Sequence, residues 1–593
     1  MCGICGEIRF DGAAADPAIT AAMSRVLVPR GPDGAGIYQQ SGICFGHRRL
    51  KIVDLSSKSG QPMVDPELGY LCVFNGMLYN YKEIREELKA LGYRFFSTGD
   101  TEVLIKAFHR WGPDCLQKFH GMFAFVLAER DSGRLFLARD RLGIKPLYYC
   151  KDAGCLIFAS SLPALMASGR PGREIDAAAL HHYMTFHAVV PPPLTILKDV
   201  RKLEPATIMR VEPDGKSFSR KYWEPCYIRS AEDDARSFEE WQDLVMQAMR
   251  RAVHRRMVAD VPVGVLLSGG LDSSLVVGLL AQAGVRDLKT FSIGFESVAG
   301  ESGDEFKYSD IIADRFSTHH HKIRISSDHA LANIRDCVRA MSEPMVSHDN
   351  IGFYLLSGEV SRHVKVVQSG QGADEIFGGY HWYPPLMESA RGVEDYARVF
   401  FDGPHEEFIR AVHPDLVSRD FSLDFVKEHF SRPGADSTID RAMRLDTLVM
   451  LVDDPVKRVD NMTMAWGLEA RVPFLDHELV ELAARIPAVF KVSHGGKHVL
   501  KEASRKILPE QVIDRPKGYF PVPALKYLRG EFLDFVREVL SDPGAEKRKI
   551  FRPDYVRKLL ADPEKAITPL GSSRLWQVAL LELWLQTFEI PTV

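Results

Sequence analysis

No apolar run in the 593-residue sequence approaches the roughly 18–20 residues that a membrane-spanning helix needs. Its start lacks the basic stretch and apolar core of a secretory signal. Charge of one sign is also missing. The 75 basic and 79 acidic residues leave a net charge of −4, which argues against a nucleic-acid or membrane-surface partner. Cysteines number 9, an odd and scattered set (Cys2, Cys5, Cys44, Cys72, Cys115, Cys150, Cys155, Cys226, Cys337), so no disulfide framework is expected. A reducing, cytoplasmic setting is the matching expectation. Internal repeats, low-complexity tracts and the Walker A pattern G-x-x-x-x-G-K-[ST] are absent too.

The chain is too long for one core, so two or more domains are expected, and 46% apolar with 26% charged residues is ordinary for a globular protein. Up to about residue 200 the pattern is β-rich. Short apolar stretches at 71–74, 122–127, 134–138 and 155–159 alternate with helical patterns at 81–91 and 101–111. From Phe238 the period changes, and Trp241, Leu244, Val245 and Ala248 continue one helical stripe. A βαβ rhythm follows: strands at 263–267, 288–295, 321–325 and 364–368, with helices at 273–283 and 305–316. That alternation predicts a parallel sheet covered on both faces. Beyond about Asp374 the pattern is mostly helical.

Two segments carry chemistry. Cys2 becomes the terminal residue once Met1 is removed. A thiol of pKa near 8.5 is only a few per cent thiolate at pH 7, but the free α-amine of the same residue can take its proton. Cys2-Gly-Ile-Cys5 also spells C-x-x-C, without a second ligand pair or a thioredoxin-like context. A free amino acid bearing a side-chain amide needs an Arg fork for its carboxylate, a carboxylate for its ammonium and an oxyanion hole. Arg49, Asp100, and the Asn75 amide with the Gly76 N–H meet those needs in turn. Their plainer readings are a strand charge, a helix N-cap and a hairpin turn. The second segment is Val263-Gly-Val-Leu-Leu267 running into Ser268-Gly-Gly-Leu-Asp-Ser-Ser274. Small residues and a following helix N-terminus suit a phosphate, with the hydroxyls of Ser268, Ser273 and Ser274 as donors. Asp272 would repel that phosphate unless a cation lies between, so it reads as a Mg²⁺ ligand.

In order, MCGI, RGPD, GHRRLKIVD, FNGMLYN, TGDTE, GMFAF and ARDRLGIKPLYY resemble the class II glutamine amidotransferase domain. The resemblance implies an N-terminal-nucleophile hydrolase α/β/β/α sandwich. It also implies glutamine hydrolysis through a Cys2 thioester, with Arg49 and Asp100 on the substrate's termini and backbone from Leu50, Ile52 and Val53. Two positions depart from relatives that carry Glu: Met77, and Ser161 in Phe158-Ala-Ser-Ser161. The Ser268–Ser274 segment resembles the PP-loop of ATP pyrophosphatases, with Leu267, Ser268, Gly269, Gly270, Leu271, Asp272, Ser273 and Ser274 around ATP. The same resemblance assigns Ser292, Ile293 and Gly294 to the adenine. It assigns Ser369, Gly370 and Gln371 to the pyrophosphate, and Asp374 as a second Mg²⁺ ligand. Segments 458–465 and 467–476 are similar to glutamine-dependent asparagine synthetases. Lys497 and Lys517 are the basic residues expected near the phosphates, Lys517 for charge in the adenylation transition state.

The expected architecture is therefore an amidotransferase sandwich over 2–215 and a doubly wound parallel-sheet PP-loop domain with a helical C-terminal part over 230–593. The substrates would be glutamine, ATP and a carboxylate acceptor, with a homodimer carried as the assembly. Gln371 replaces a Glu that serves several relatives as base, and Glu375 is the neighbour that could substitute. Residues 180–190, 193–197, 221–225 and Gln371 resemble most the N-acetylglutaminylglutamine amidotransferase branch, with aspartate the alternative acceptor. A catalytically silent nucleotide or glutamine sensor is the reading of another class, and intact Cys2, Arg49, Asp100, Asp272 and Asp374 argue against it. A phosphoribosyl-type amidotransferase would lack Ser268–Ser274. His319-His-His321 reads as a solvated turn rather than a metal site.

Overall fold

A computed structural model describes residues 2–296, 303–516, 525 and 528–591. Its first part consists of two antiparallel six-stranded sheets lying face to face. One runs Arg201–Lys202, Tyr148–Lys151, Cys155–Ala159, Gly3–Arg9, Ile43–Arg49, Gly34–Gln40, and the other Ser217–Lys221, Thr207–Val211, Leu135–Arg139, Gly121–Glu129, Tyr70–Leu78, Met63–Asp65. Alternate residues divide between two cores, as a two-residue period demands. Ile4, Ile8, Phe45, Leu71, Val73, Val126 and Leu137 fill the space between the sheets. Cys72, Phe74, Phe125 and Leu127 face outward beneath the helix Asp100–Trp111, and Cys5 packs with Met23 of the helix Pro17–Val26 and with Leu162. The result is four layers, α/β/β/α.

The second part holds a five-stranded parallel sheet ordered His319–Ile325, Lys289–Phe295, Val263–Leu266, Val366–Gln368, Glu469–Arg471. Val265 and Val366 pack on one face with Leu275 and Leu279 of the helix Leu271–Gln282. Leu266 and Val367 pack on the other with Ile351 and Leu355 of the helix Asp349–Val360. Burial on both faces explains the unbroken apolar strands. Among the described residues no helix is long and apolar enough to cross a membrane.

Beyond Asp374 the chain is mostly helical, with Glu469–Arg471 a buried strand within that stretch. That strand is stabilised by an ion pair between Arg471 Nε and Glu469 at 2.6 Å rather than by apolar alternation, so periodicity could not reveal it. His319-His-His321 is not a solvated turn but the start of the edge strand His319–Ile325. There His320 Nδ1 lies 2.9 Å from Thr290 Oγ1, and the His321 ring stacks on Phe291.

The two parts meet through buried ions. Asp460 accepts from Arg30 Nη1 at 2.8 Å and from Lys145 Nζ at 3.0 Å. Lys202 Nζ reaches Asp453 at 2.6 Å and Glu343 at 2.9 Å. Burial alone would raise the Asp460 carboxyl, but Arg30 and Lys145 overcome it and hold it at about 2. Asp460 lies on the helix Lys457–Met464, which continues from two π-helical segments, Asp446–Met450 and Val452–Val456, with Pro455 inside. Asp460→Ala would leave two buried cations without their counter-ion and should cost about 3–5 kcal/mol. A lower urea midpoint for the first unfolding transition is expected; an unchanged midpoint would contradict this role.

Candidate active sites

The first centre lies at one end of the layer between the two antiparallel sheets. Cys2 shares its strand parity with Ile4, Asn75 with Leu71 and Val73, and Arg49 with Phe45, so all three extend the inter-sheet face. The Cys2 N–H donates to Asn75 Oδ1 at 3.1 Å, which fixes the amide. Asn75 Nδ2 is buried with no hydrogen-bond partner among the described residues. A buried donor left unpaired costs about 1–3 kcal/mol, and one beside a thiol is suited to a developing oxyanion. Asn75 and Gly76 are mid-strand, opposite Ala124 and Phe123, and form no hairpin turn. A Cβ at Gly76 would lie 2.3 Å from the Met122 carbonyl oxygen, so strand packing demands glycine there.

Arg49 ends its strand and donates to the carbonyls of Ser56, at 2.6 Å, and Asp54. This anchors a loop in which Leu50 and Ile52 are buried and Val53 is half-buried. Asp100 is the first residue of its helix, with Gly99 at the N-cap position. It accepts from the Leu78 N–H at 3.1 Å, and burial raises its carboxyl to about 6 against that bond. Burial likewise pushes the Cys2 thiol up, while the Leu50 backbone N–H and the Arg49 guanidinium pull it down. Met77 is buried in the same apolar cluster as Leu50 and Ile52. Ser161 caps the helix Leu162–Met166, a structural use for that departure.

The second centre is a cavity of about 530 Å³ at the carboxyl ends of Val263–Leu266 and its neighbours, where open parallel sheets bind ligands. Leu267, Ser268, Gly270, Leu271, Asp272, Ser273, Ser292, Ile293, Ser369, Gly370, Gln371 and Asp374 line it. Gly269, Ser274 and Gly294 do not. Gly269 makes the turn at φ +76, and a Cβ there would meet the Ser309 nitrogen at 2.6 Å. Ser274 is buried in the helix behind the loop. A Cβ on Gly294 would meet Asp304 Cβ at 2.5 Å. The two Gly/Ser loops touch: a Cβ on Gly370 would lie 2.9 Å from the Ser273 nitrogen.

Lys497 stands between the two acids, its Nζ 2.7 Å from Asp272 and 2.9 Å from Asp374. Burial would lower its pKa, yet the two carboxylates raise it. Two carboxylates converging on one cation amid serine hydroxyls are the hard oxygen donors that Mg²⁺ prefers, so the donor set fits that ion. Lys517 lies outside the described residues. Arg458 and Arg515 also line the cavity; Arg458 opens the segment 458–465, and Arg515 stands two residues before Lys517. Arg515 pairs with Glu305 at 3.0 Å and lies over the Tyr308 ring. Glu375 lines the cavity too, and its Oε1 accepts from Tyr380 OH at 2.9 Å. Burial and the adjacent Asp374 charge raise its carboxyl to about 7.

One helix touches both centres. Asp460 binds Arg30, whose Nε donates to the Cys2 carbonyl oxygen at 3.3 Å. Two residues earlier, Arg458 lines the nucleotide-side cavity.

An α/β/β/α sandwich that carries Cys2, joined to a parallel-sheet loop-and-helix unit, is the architecture of an amidotransferase coupled to a second catalytic part. The chain belongs to the asparagine synthase family: the description "Asparagine synthase" matches residues 244–586, and "Glutamine amidotransferase domain" matches residues 1–223. It is 32% identical over 603 residues to asparagine synthetase (glutamine-hydrolyzing) 1 of Bacillus subtilis (strain 168), covering 95% of this chain and 92% of that one. Asparagine synthetase (glutamine-hydrolyzing) 3 of the same organism is 31% identical over 588 residues, covering 94% and 92%. Amidase chry2 of Gibberella zeae is 25% identical over 629 residues, covering 92% of each chain. The protein is a glutamine-dependent carbon–nitrogen ligase, and use of ATP is expected of this family.

The Glu375 carboxyl ionises near 7 in the folded chain against an ordinary 4.5, so the folded state binds the extra proton and stability falls as pH rises through that window. Glu375→Gln cannot ionise. Its melting temperature relative to wild type should therefore rise between about pH 5 and pH 8. A constant difference would show that Glu375 does not titrate there.

Proposed function

We propose that Cys2 and the Asp272–Asp374 cavity perform successive halves of one amide synthesis. With Met1 removed, the α-amine of Cys2 takes the thiol proton, and the thiolate attacks the side-chain amide carbon of glutamine. Asn75 Nδ2 and the Gly76 N–H stabilise the oxyanion. Arg49, which makes three hydrogen bonds to the carbonyls of Val53, Asp54 and Ser56 out of five N–H donors, keeps others for the substrate carboxylate. Asp100 takes the substrate ammonium, whose charge pulls the carboxyl down from its raised value. Ammonia leaves, and water hydrolyses the thioester to glutamate.

In the cavity an acceptor carboxylate attacks the α-phosphorus of ATP, pyrophosphate leaves, and an acyl-adenylate remains. The Ser268 and Ser273 hydroxyls and the N-terminus of Leu271–Gln282 hold phosphate oxygens. Mg²⁺ on Asp272 and Asp374 would neutralise pyrophosphate charge, and Lys497 then turns its ammonium toward the same oxygens. Ammonia attacks the acyl carbon and AMP leaves. Gln371 cannot accept the proton at neutral pH, whereas Glu375, ionising near 7, can. The observation that carries this reading is an unpaired buried amide whose oxygen holds the Cys2 N–H, together with two acids sharing one cation in the second cavity.

For the acceptor, we propose the C-terminal carboxylate of N-acetylglutaminylglutamine. Support comes from residues 180–190, 193–197 and 221–225 and from Gln371, where the wording departs from aspartate-using relatives. L-aspartate is the second reading, supported by the names of the Bacillus subtilis relatives. The working division is 2–215 for glutamine and 230–593 for ATP.

Cys2→Ala should abolish glutamine-driven synthesis and keep synthesis from ammonium salts; loss of both would refute separate centres. Asp272→Asn should remove pyrophosphate release while glutaminase activity survives, and unimpaired release would exclude Asp272 from phosphate handling. Mass spectrometry of the amide formed from equimolar aspartate and N-acetylglutaminylglutamine decides the acceptor. The dipeptide amide is expected, and asparagine as the product would reverse the assignment.

A further inference from the structure

The histidine-rich wording of residues 180–187 is used by neither centre. His181, on the helix Ala177–Thr185, is buried, and its Nε2 lies 2.9 Å from His405 Nδ1 and 3.7 Å from Asp420 Oδ1. The ligand atoms of these three residues all lie within 4.8 Å of one another. Tetrahedral Zn²⁺ with bonds of 2.0–2.2 Å sets its ligand atoms about 3.3–3.5 Å apart. The two spacings from His181 straddle that value, so a shift of about half an ångström at His405 and a smaller one at Asp420 would bring both to it.

The far side of His181 is built as well. Its Nδ1 lies 2.8 Å from Ser422 Oγ, and the same oxygen lies 3.0 Å from His182 Nδ1. One proton order through this chain runs from His181 Nδ1–H to Ser422 Oγ and from the Ser422 hydroxyl to His182 Nδ1. It leaves the His181 Nε2 lone pair facing His405 and Asp420, the orientation a metal-binding imidazole needs from its second nitrogen. Phe408 packs on the His181 ring at 4.5 Å. His405 and Asp420 are only part-buried, so an ion can enter from solvent and keep water as its fourth ligand. Asp420 Oδ1, the oxygen 3.7 Å from His181 Nε2, also accepts from the Leu423 N–H at 2.9 Å, which orients the carboxylate and leaves a second lone pair for an ion. Burial holds His181 at about 4, so the ring is a neutral ligand near pH 7.

A second group of this kind, His120, His477 and Glu478, does not compare. Both oxygens of its carboxylate already receive Arg255, at 2.9 and 3.0 Å.

We propose that His181, His405 and Asp420 form a Zn²⁺ site. Two imidazoles and a carboxylate suit that ion, and the site would tie the helix Ala177–Thr185 to the helices His405–Ala411 and Phe421–Ser431. Among the described residues, none of these three lines the nucleotide-side cavity or contacts Cys2, Asn75, Arg49 or Asp100. The test titrates chelator-treated, tag-free full-length protein with Co²⁺, then displaces it with Zn²⁺. Wild type should take up one equivalent with the visible absorption of tetrahedral Co²⁺, and Zn²⁺ should bleach it. His405→Ala and Asp420→Asn should lose that absorption while retaining glutaminase activity, which shows they are folded. Ser422→Ala should weaken binding by about 10–100-fold. Wild type without a stoichiometric site, or His405→Ala and Asp420→Asn titrating like wild type, would overturn the proposal.

Discussion

The carboxylate of Asp460, held between Arg30 and Lys145, is the constraint on which the two-domain arrangement depends. Each of the three groups would be costly to bury alone, and each becomes tolerable only when the two domains are in register. Arg30 also donates to the carbonyl of Cys2. The position of the nucleophile is thereby tied to a helix that reaches the other cavity. Lys202 with Glu343 and Asp453 repeats the device along the same interface, and Lys365 with Asp33 adds a half-exposed pair at 2.7 Å.

Within each centre, burial sets the electrostatics. The acids at Asp100 and Glu375 are raised toward neutrality because burial excludes water and outweighs the donors that face them, and at Glu375 the Asp374 charge adds to the rise. Such groups titrate in the range where they can trade a charge or a proton with a substrate. Lys497 shows the converse. Flanked by Asp272 and Asp374, it keeps its charge in a buried position and balances acids that would otherwise repel both each other and a triphosphate.

Much of the fold was legible because its signals are local. The short apolar runs at 71–74, 122–127 and before Ser268, bounded by Gly, Asp and Ser, mark strands buried on both faces. Cys2, Asn75, Arg49 and Asp272 could be singled out because their chemistry is written in adjacent glycines, serines and turns. The rest depends on contacts between distant residues. Nothing near Asp460 indicates that its partner is Arg30, 430 positions away. Glu469–Arg471 is a strand stabilised by charge, invisible to hydropathy. The histidines of 319–321 look solvated as a string, yet pairing with Lys289–Phe291 buries His320 against Thr290.

A cycle split between Cys2 and the Asp272–Asp374 cavity works best when the nitrogen released at the first centre reaches the second without mixing with bulk ammonium. Synthesis with glutamine labelled with ¹⁵N at its side-chain amide, in the presence of excess unlabelled ammonium, tests it directly. Sheltered transfer predicts an amide product that keeps most of the label as ammonium rises. Dilution of the label in proportion to the ammonium pool would contradict it.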